Sequence, residues 1–166
     1  DFVYDDVEPF NEGLAIAQLS DVYGMINKQG EKIVPFIYDE INGFHEGLSG
    51  IGKNDKYGFI DPKGEIVIPL QYDYADDFSE GLARIELGGK TGYINPKGEI
   101  VIPCEYEWGE NFRNGLARVK RGDLFGLINK SGKLFVACEY NRIDEFKEGK
   151  ALVVKGEKFG FIDTAG

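Results

Sequence analysis

Short apolar runs return at a fixed interval along the whole chain, separated by polar, glycine-rich punctuation. Three kinds of run follow one another. The first is Leu-Ala-x-Val or a relative of it, as in Leu116-Ala117-Arg118-Val119. The second is aromatic-Gly-apolar-Ile followed by Asn or Asp, as in Tyr57-Gly58-Phe59-Ile60-Asp61. The third is the most apolar, as in Ile66-Val67-Ile68-Pro69. All are too short for helices and rich in β-branched residues, which predicts strands.

The interval is 34 residues. Gly24, Gly58, Gly92, Gly126 and Gly160 keep it, and so do Gly30, Gly64, Gly98, Gly132 and Gly166. Phe10, Phe44, Phe78, Phe112 and Phe146 recur in the same register, as do Tyr4, Tyr38, Tyr72, Tyr106 and Tyr140. A period of this length also suits a two-helix repeat. Three fixed glycines per unit and Pro35, Pro69 and Pro103 inside the most apolar runs exclude that reading, because Gly costs about 1 and Pro about 3 kcal/mol in a helix interior.

Each unit therefore reads as three antiparallel strands. In the first, the residue after Leu is small (Ala15, Ser49, Ala83, Ala117, with Ala151 after Lys150) and the one two further on is apolar. That spacing of two marks the buried face. Gly inside the second strand predicts a bulge or a close backbone approach. The turn after it, as in Asn95-Pro96-Lys97-Gly98, sets an Asx residue first and a glycine of positive φ last, a hairpin turn with a bulge. Pro in the third strand is expected where that strand leaves its partner.

The fold class predicted is all-β: a tandem array of about five 34-residue three-stranded units forming an open superhelix. The alternative is a closed five-bladed toroid, since five full periods only slightly exceed the 166 residues present. Three strands per unit argue against it, because propeller blades usually have four. Residues 1–166 form a single domain, with partial units at 1–12 and 149–166 and full units at 13–46, 47–80, 81–114 and 115–148. A start at Asp1 without Met and within a unit is expected of a mature product or a fragment.

Laid out this way, the units resemble the bacterial WG-repeat (KWG-repeat) family, whose pattern is Gly-Leu-Ala-x-Val, Trp-Gly-aromatic-Ile-Asp, Gly, Val-Ile-Pro, then Tyr-Asp and Phe. Gly81-Leu82-Ala83-Arg84-Ile85, Gly92-Tyr93-Ile94-Asn95, Gly98, Val101-Ile102-Pro103, Tyr106 and Phe112 carry it in one unit, and every unit carries most of it. The name-giving Trp is replaced by Tyr23, Tyr57, Thr91, Phe125 and Phe159. The resemblance implies a bacterial interaction scaffold, often part of a larger or exported protein. It implies no catalytic residue.

Charge narrows the partners. The formal net charge is -10, which excludes nucleic acid, whose binding depends on Lys and Arg against phosphate. The basic residues are scattered and no long apolar run exists, so neither lipid binding nor membrane insertion by this segment is expected. Cys104 and Cys138 share one repeat position and read as two small buried hydrophobes. The single His, His45, stands where other units have Asn11, Ser79, Arg113 and Lys147, a solvated position.

No zinc spacing, nucleophile elbow or phosphate loop is present, so the chain is read as a non-enzyme without cofactor. Paired carboxylates at Asp76/Asp77 and Asp144/Glu145 read as a solvated face. The acidic connectors before each Phe supply two or three carboxylates, part of the six to eight oxygens calcium takes, but without calcium-loop spacing, so no metal is expected. The Tyr and Phe series belong to the core.

Tyr74 and Trp108 differ. They share a slot that holds Asp6, Glu40 and Arg142 elsewhere, and a slot that tolerates charge is exposed. Arg84 and Arg118 share another, expected on the outer face of the first strand. These four form the candidate binding surface, for a protein partner or, alternatively, for a carbohydrate or cell-envelope ligand.

Overall fold

The computed structural model describes residues 3–164. Asp1, Phe2 and the last hairpin glycine, Gly166, lie outside the described residues. Five antiparallel meander sheets follow one another along the chain. The first holds β1 (Asp6–Val7), β2 (Leu14–Leu19), β3 (Val22–Asn27) and β4 (Lys32–Tyr38). The second holds β5 (Glu40–His45), β6 (Leu48–Lys53), β7 (Lys56–Ile60) and β8 (Ile66–Tyr72). The third holds β9 (Tyr74–Ala75), β10 (Ala83–Leu87), β11 (Lys90–Ile94) and β12 (Ile100–Tyr106). The fourth holds β13 (Trp108–Gly109), β14 (Leu116–Arg121), β15 (Leu124–Asn129) and β16 (Leu134–Tyr140), and the fifth β17 (Arg142–Ile143), β18 (Lys150–Lys155) and β19 (Lys158–Asp163).

The three expected strands are present in every full unit. Each acidic connector adds a short strand ahead of them, which makes four per complete sheet. In four of the five sheets this added strand is only two residues long, too short for a period of two to show. The all-β open array is the architecture observed. Hydrophobic cores join consecutive sheets, as where Leu14, Ile16, Met25 and Val34 meet Ile41, Phe44, Ile51 and Ile60. Three further cores join the second sheet to the third, the third to the fourth and the fourth to the fifth.

The inner sheets are therefore buried on both faces. Leu82 and Ala83 are neighbours pointing opposite ways, and both are buried. Among the described residues, the first and fifth sheets each expose large apolar side chains on one face, Val7 and Phe10 in the first and Phe159 and Phe161 in the fifth, although Ala15, Ala17 and Ile26 beside Val7 are buried.

Backbone detail follows the turn and glycine pattern. Gly98 has φ +79°, its N–H donates to the Asn95 carbonyl, and Asn95 Oδ1 accepts from the N–H groups of Lys97 and Glu99. Between β11 and β12, Thr91 faces Tyr106 and Tyr93 faces Ile102, so two steps on one strand oppose four on the other. Pro103 sits in that bulge, where no ladder bond needs its missing N–H. The bulge folds onto Gly92. A Cβ there would lie 2.7 Å from the Ile102 carbonyl oxygen and 2.8 Å from Cys104 N.

Candidate functional site

Successive Phe-x-x-Gly turns lie side by side along one edge of the array. Glu46 accepts the Gly81 N–H at 2.9 Å, and Glu80 accepts the N–H groups of Asn114 and Gly115 at 2.6 and 2.9 Å. Beside them, across the third, fourth and fifth sheets, opens a cavity of about 730 Å³. Arg84, Trp108 and Arg118 line it, together with Asp76, Glu110 and Asn111. Three of the four expected site residues thus meet in one place. Tyr74 does not line the cavity but packs over Arg84, which does.

Arg84 and Arg118 do not stand on an outer face. Arg84 faces Tyr93 across the ladder and Arg118 faces Leu127, so both point at the next sheet. Stacking leaves neither face of an inner sheet open, and the same slot holds Ile16 in the first-to-second core. A guanidinium in that position needs compensation. Arg84 finds Asp76 at 2.7 Å and Glu86 at 2.8 Å, with its side chain 13% exposed. Burial alone would lower its pKa; the two carboxylates more than offset that and hold it above its ordinary value. Arg118 pairs with Glu110 and donates to the Ile143 carbonyl in the fifth sheet.

An aromatic ring covers each guanidinium. Arg84 Cζ lies 4.9 Å from the Tyr74 centroid, and Arg118 Cζ lies 5.7 Å from that of Trp108. The Tyr74 hydroxyl donates to Asp76, and its pKa is pushed up to about 12 by burial and then by that carboxylate. Trp108 meets Phe125 edge-on at 5.9 Å. Tyr74 and Trp108 are 36% and 37% exposed, so each stack shows its ring at the surface; the Arg84–Asp76 pair is the more buried of the two, while Glu110 stays partly open to solvent. Asn111 Oδ1 is buried with no hydrogen-bond partner among the described residues.

Sequence reasoning passed over Asn111 and the pairing role of Glu110. The signal for Glu110 was present: Asp76 and Glu110 share one slot, and the Arg slot is filled by Arg84 and Arg118 in those same sheets. Nothing in the repeat marks Asn111, whose slot holds Pro9, Gly43, Asp77 and Glu145 in the other units.

The first carboxylate of each connector has a structural task along the opposite edge of the array. Asp5, Asp39, Asp73 and Glu107 accept an N–H from the β-hairpin turn 15 residues on, at Ser20, Asn54, Gly88 and Gly122. Asn141 does the same for Gly156 with a neutral amide. Among the described residues, no three His, Cys, Asp or Glu side chains converge as a metal site would require. Glu107 also meets Lys90 at 2.6 Å, and this contact with the turn N–H holds its pKa down to about 2. Lys56 and the Gly88 N–H lower Asp73 likewise.

A depressed carboxylate pKa stabilises the fold above its unfolded value, near 4.3 for Glu, and that stabilisation is lost as pH falls through the folded value. The melting temperature is expected to drop between about pH 5 and pH 2, and Glu107→Gln, which keeps an acceptor for Gly122, is expected to flatten that drop. Thermal melts across that range check it; identical slopes for the variant and the wild type contradict it.

The remaining expected residues fall as follows. Cys104 and Cys138 are free and half-buried, each packed against a core, and burial raises both thiols. His45 ends β5, is exposed, and lies 3.4 Å from an Asp77 carboxylate oxygen. Among the described residues, no helix is long and apolar enough to cross a membrane.

Comparison with known proteins bears on the fold. Among solved structures, the Kluyveromyces lactis protein Hsv2p superposes with TM-score 0.52 at 14% identity, over 96% of this chain and 60% of that one. A structure described as the eukaryotic initiation factor gives 0.53 at 11% identity, over 98% of this chain and 53% of that one. The chain thus spans less than two thirds of either structure, and at these identities the likeness is one of fold alone. No curated protein matches the chain in sequence. Its repeats match the family described as WG containing repeat, over residues 1–22, 23–57, 57–90, 92–125 and 125–159. With its glycines, prolines and inter-sheet cores falling in that one register, the chain belongs to the WG-repeat family.

Proposed function

We propose that the chain is a non-enzymatic scaffold that binds a protein partner at the cavity between the third, fourth and fifth sheets. The observation that carries this reading is the lining itself: Trp108 and two arginines, held rigid by Asp76 and Glu110, around a cavity of about 730 Å³. Trp, Tyr and Arg dominate the few residues that supply most of the energy at protein interfaces. Here they are pre-organised, which reduces the ordering cost of binding. Asn111 Oδ1, buried without a partner among the described residues, offers an acceptor to an incoming N–H.

Carbohydrate is the second reading, favoured by Trp108 beside the Glu110 carboxylate in one cavity. A sugar stacks on an open ring face, and Arg118 already covers one face of Trp108. The protein reading is therefore preferred.

Selection of a random peptide library on the immobilised chain, with a glycan array in parallel, tests the proposal. The expected result is peptides whose affinity falls at least about 30-fold in Trp108→Ala, a loss of about 2 kcal/mol, with no glycan signal. Glycan binding that depends on Trp108 replaces the protein reading by the carbohydrate one. Selected peptides indifferent to Trp108→Ala remove the cavity from the proposal.

A further inference from the structure

The ring pairs that join the sheets are broken at one interface. Between the second and third sheets Phe59 meets Phe78, and between the third and fourth Tyr93 meets Phe112, both with ring centroids 4.9 Å apart. Between the first and second, Met25 stands in the slot of Phe59 and Tyr93 and shares a core with Phe44. Between the fourth and fifth, that slot holds Leu127, the shortest of the four side chains, in the core that Phe146 packs against.

Phe44, Phe78 and Phe112 are 7%, 3% and 1% exposed, whereas Phe146 is half-buried and no ring meets it among the described residues. Leu14, Leu48 and Leu82 are buried, whereas Leu116 in the same slot is half-buried. Ile143, larger than Ala75 and Gly109 in its slot, takes up part of the missing volume. Leu116, Leu127 and Phe146 are left lining the cavity of about 730 Å³ as an apolar wall. The side chain responsible, Leu127, lies inside a complete four-stranded sheet. The cavity opens on the connector side of the sheets, beside Trp108, Glu110 and Asp144.

We infer that this wall seats an aromatic side chain, presented by the protein partner proposed above, a reading on which the inference rests. The other interfaces identify the occupant. Where the slot of Leu127 carries a ring, that ring packs on the turn Phe of the next sheet; here it carries none, and the turn Phe faces the cavity instead. Aromatic rings favour tilted and edge-to-face partners, a contact that an aliphatic side chain of equal area does not supply. The internal pairs, tilted by 60° and 64°, are of that kind. The wall is continuous with the core between the fourth and fifth sheets, so a ring placed there completes an interface the fold already builds.

Nuclear magnetic resonance on the intact chain, with its Leu and Ile methyl groups isotopically labelled, tests this. The probes are N-acetylphenylalanine amide and its saturated counterpart, N-acetylcyclohexylalanine amide. The phenyl probe is expected to shift the methyl signals of Leu116 and Leu127 through its ring current, and to bind about three-fold or more tightly than the cyclohexyl one. Leu127→Phe combined with Ile143→Ala copies the Phe59 and Ala75 pair of the second-to-third interface. It is expected to abolish the binding while remaining folded by circular dichroism; if it does not fold, the wild-type titration decides alone. Methyl signals unmoved by the phenyl probe, equal affinity for the two probes, or undiminished binding by the folded double variant each overturn the proposal. Peptides selected through Trp108 that carry no aromatic residue also overturn it and leave the protein reading standing. Ring binding at Leu127 with no Trp108-dependent peptide keeps the aromatic seat and removes the protein reading.

Discussion

Gly92→Val is expected to cost about 3 kcal/mol or more, while Gly160→Val is expected to cost less than about 1 kcal/mol. The two glycines hold the same repeat position. At Gly92 an added Cβ meets the Ile102 carbonyl oxygen and Cys104 N, both under 3 Å away. Those are backbone atoms of the bulged strand β12, and they cannot rotate aside. Gly160 has no such strand across it among the described residues; the nearest atom to its Cβ position is Val153 Cγ2 at 3.8 Å. In a chain of this size 1 kcal/mol moves the melting temperature by about 2–4 °C, so thermal melts separate the two variants clearly. His45→Ala, at an exposed site, is expected to behave like Gly160→Val. Equal melting temperatures for Gly92→Val and Gly160→Val contradict the idea that the bulge, and not strand composition, fixes this residue as glycine.

Phe112→Ala is the second large effect, about 3–5 kcal/mol. Phe112 is 1% exposed, sits edge-on to Tyr93 and shares a core with Leu82, Ile102 and Val119. Truncation leaves a cavity between two sheets that are anchored elsewhere. The Tyr93 hydroxyl still donates to the Glu110 carbonyl at 2.6 Å, and the Ser79 hydroxyl still donates to the Phe112 carbonyl at 3.1 Å. Collapse into the cavity is therefore limited, which puts the cost at the upper part of the range. Phe10→Ala removes the same side chain from the same slot at the open end, where it is 48% exposed. It is expected to change stability by about 1 kcal/mol or less in the monomer. Denaturant unfolding at low protein concentration checks the pair, and comparable losses contradict a core built between sheets.

Much of this architecture is legible in the sequence because the repeat restates it. A strand glycine every 34 residues, a proline after the apolar run and an Asx–Gly turn are local signals with local causes. The added strand is not legible: Tyr74–Ala75 and Trp108–Gly109 are too short to alternate. Alternation also misplaces Arg84 and Arg118. A period of two assigns residues to two faces but does not say that both faces are covered, and in a stacked array they are.

The connector carboxylates escape for another reason. Asp73 reaches Gly88 across 15 residues, so its partner is set by the return of a hairpin and not by any neighbouring residue. In the sequence, Tyr74 and Trp108 stand out because their slot tolerates charge in other units, and Arg84 and Arg118 because they share one slot of the first strand. Three of them line one cavity with Glu110 and Asn111, and that convergence is a property of sheet stacking which no single unit contains.

If stability in this chain is a sum of sheet-on-sheet interfaces in an open array, it should not be uniform. Native-state hydrogen exchange on the monomer, at low concentration, reads this strand by strand. The slowest exchange is expected in β10, β11, β14 and β15, whose sheets are covered on both faces, and the fastest in β1, β18 and β19, whose sheets have one face open. Equal protection of β19 and β11 would contradict the open, nearest-neighbour array, because only a closed or globally cooperative structure gives the last sheet the stability of the middle one.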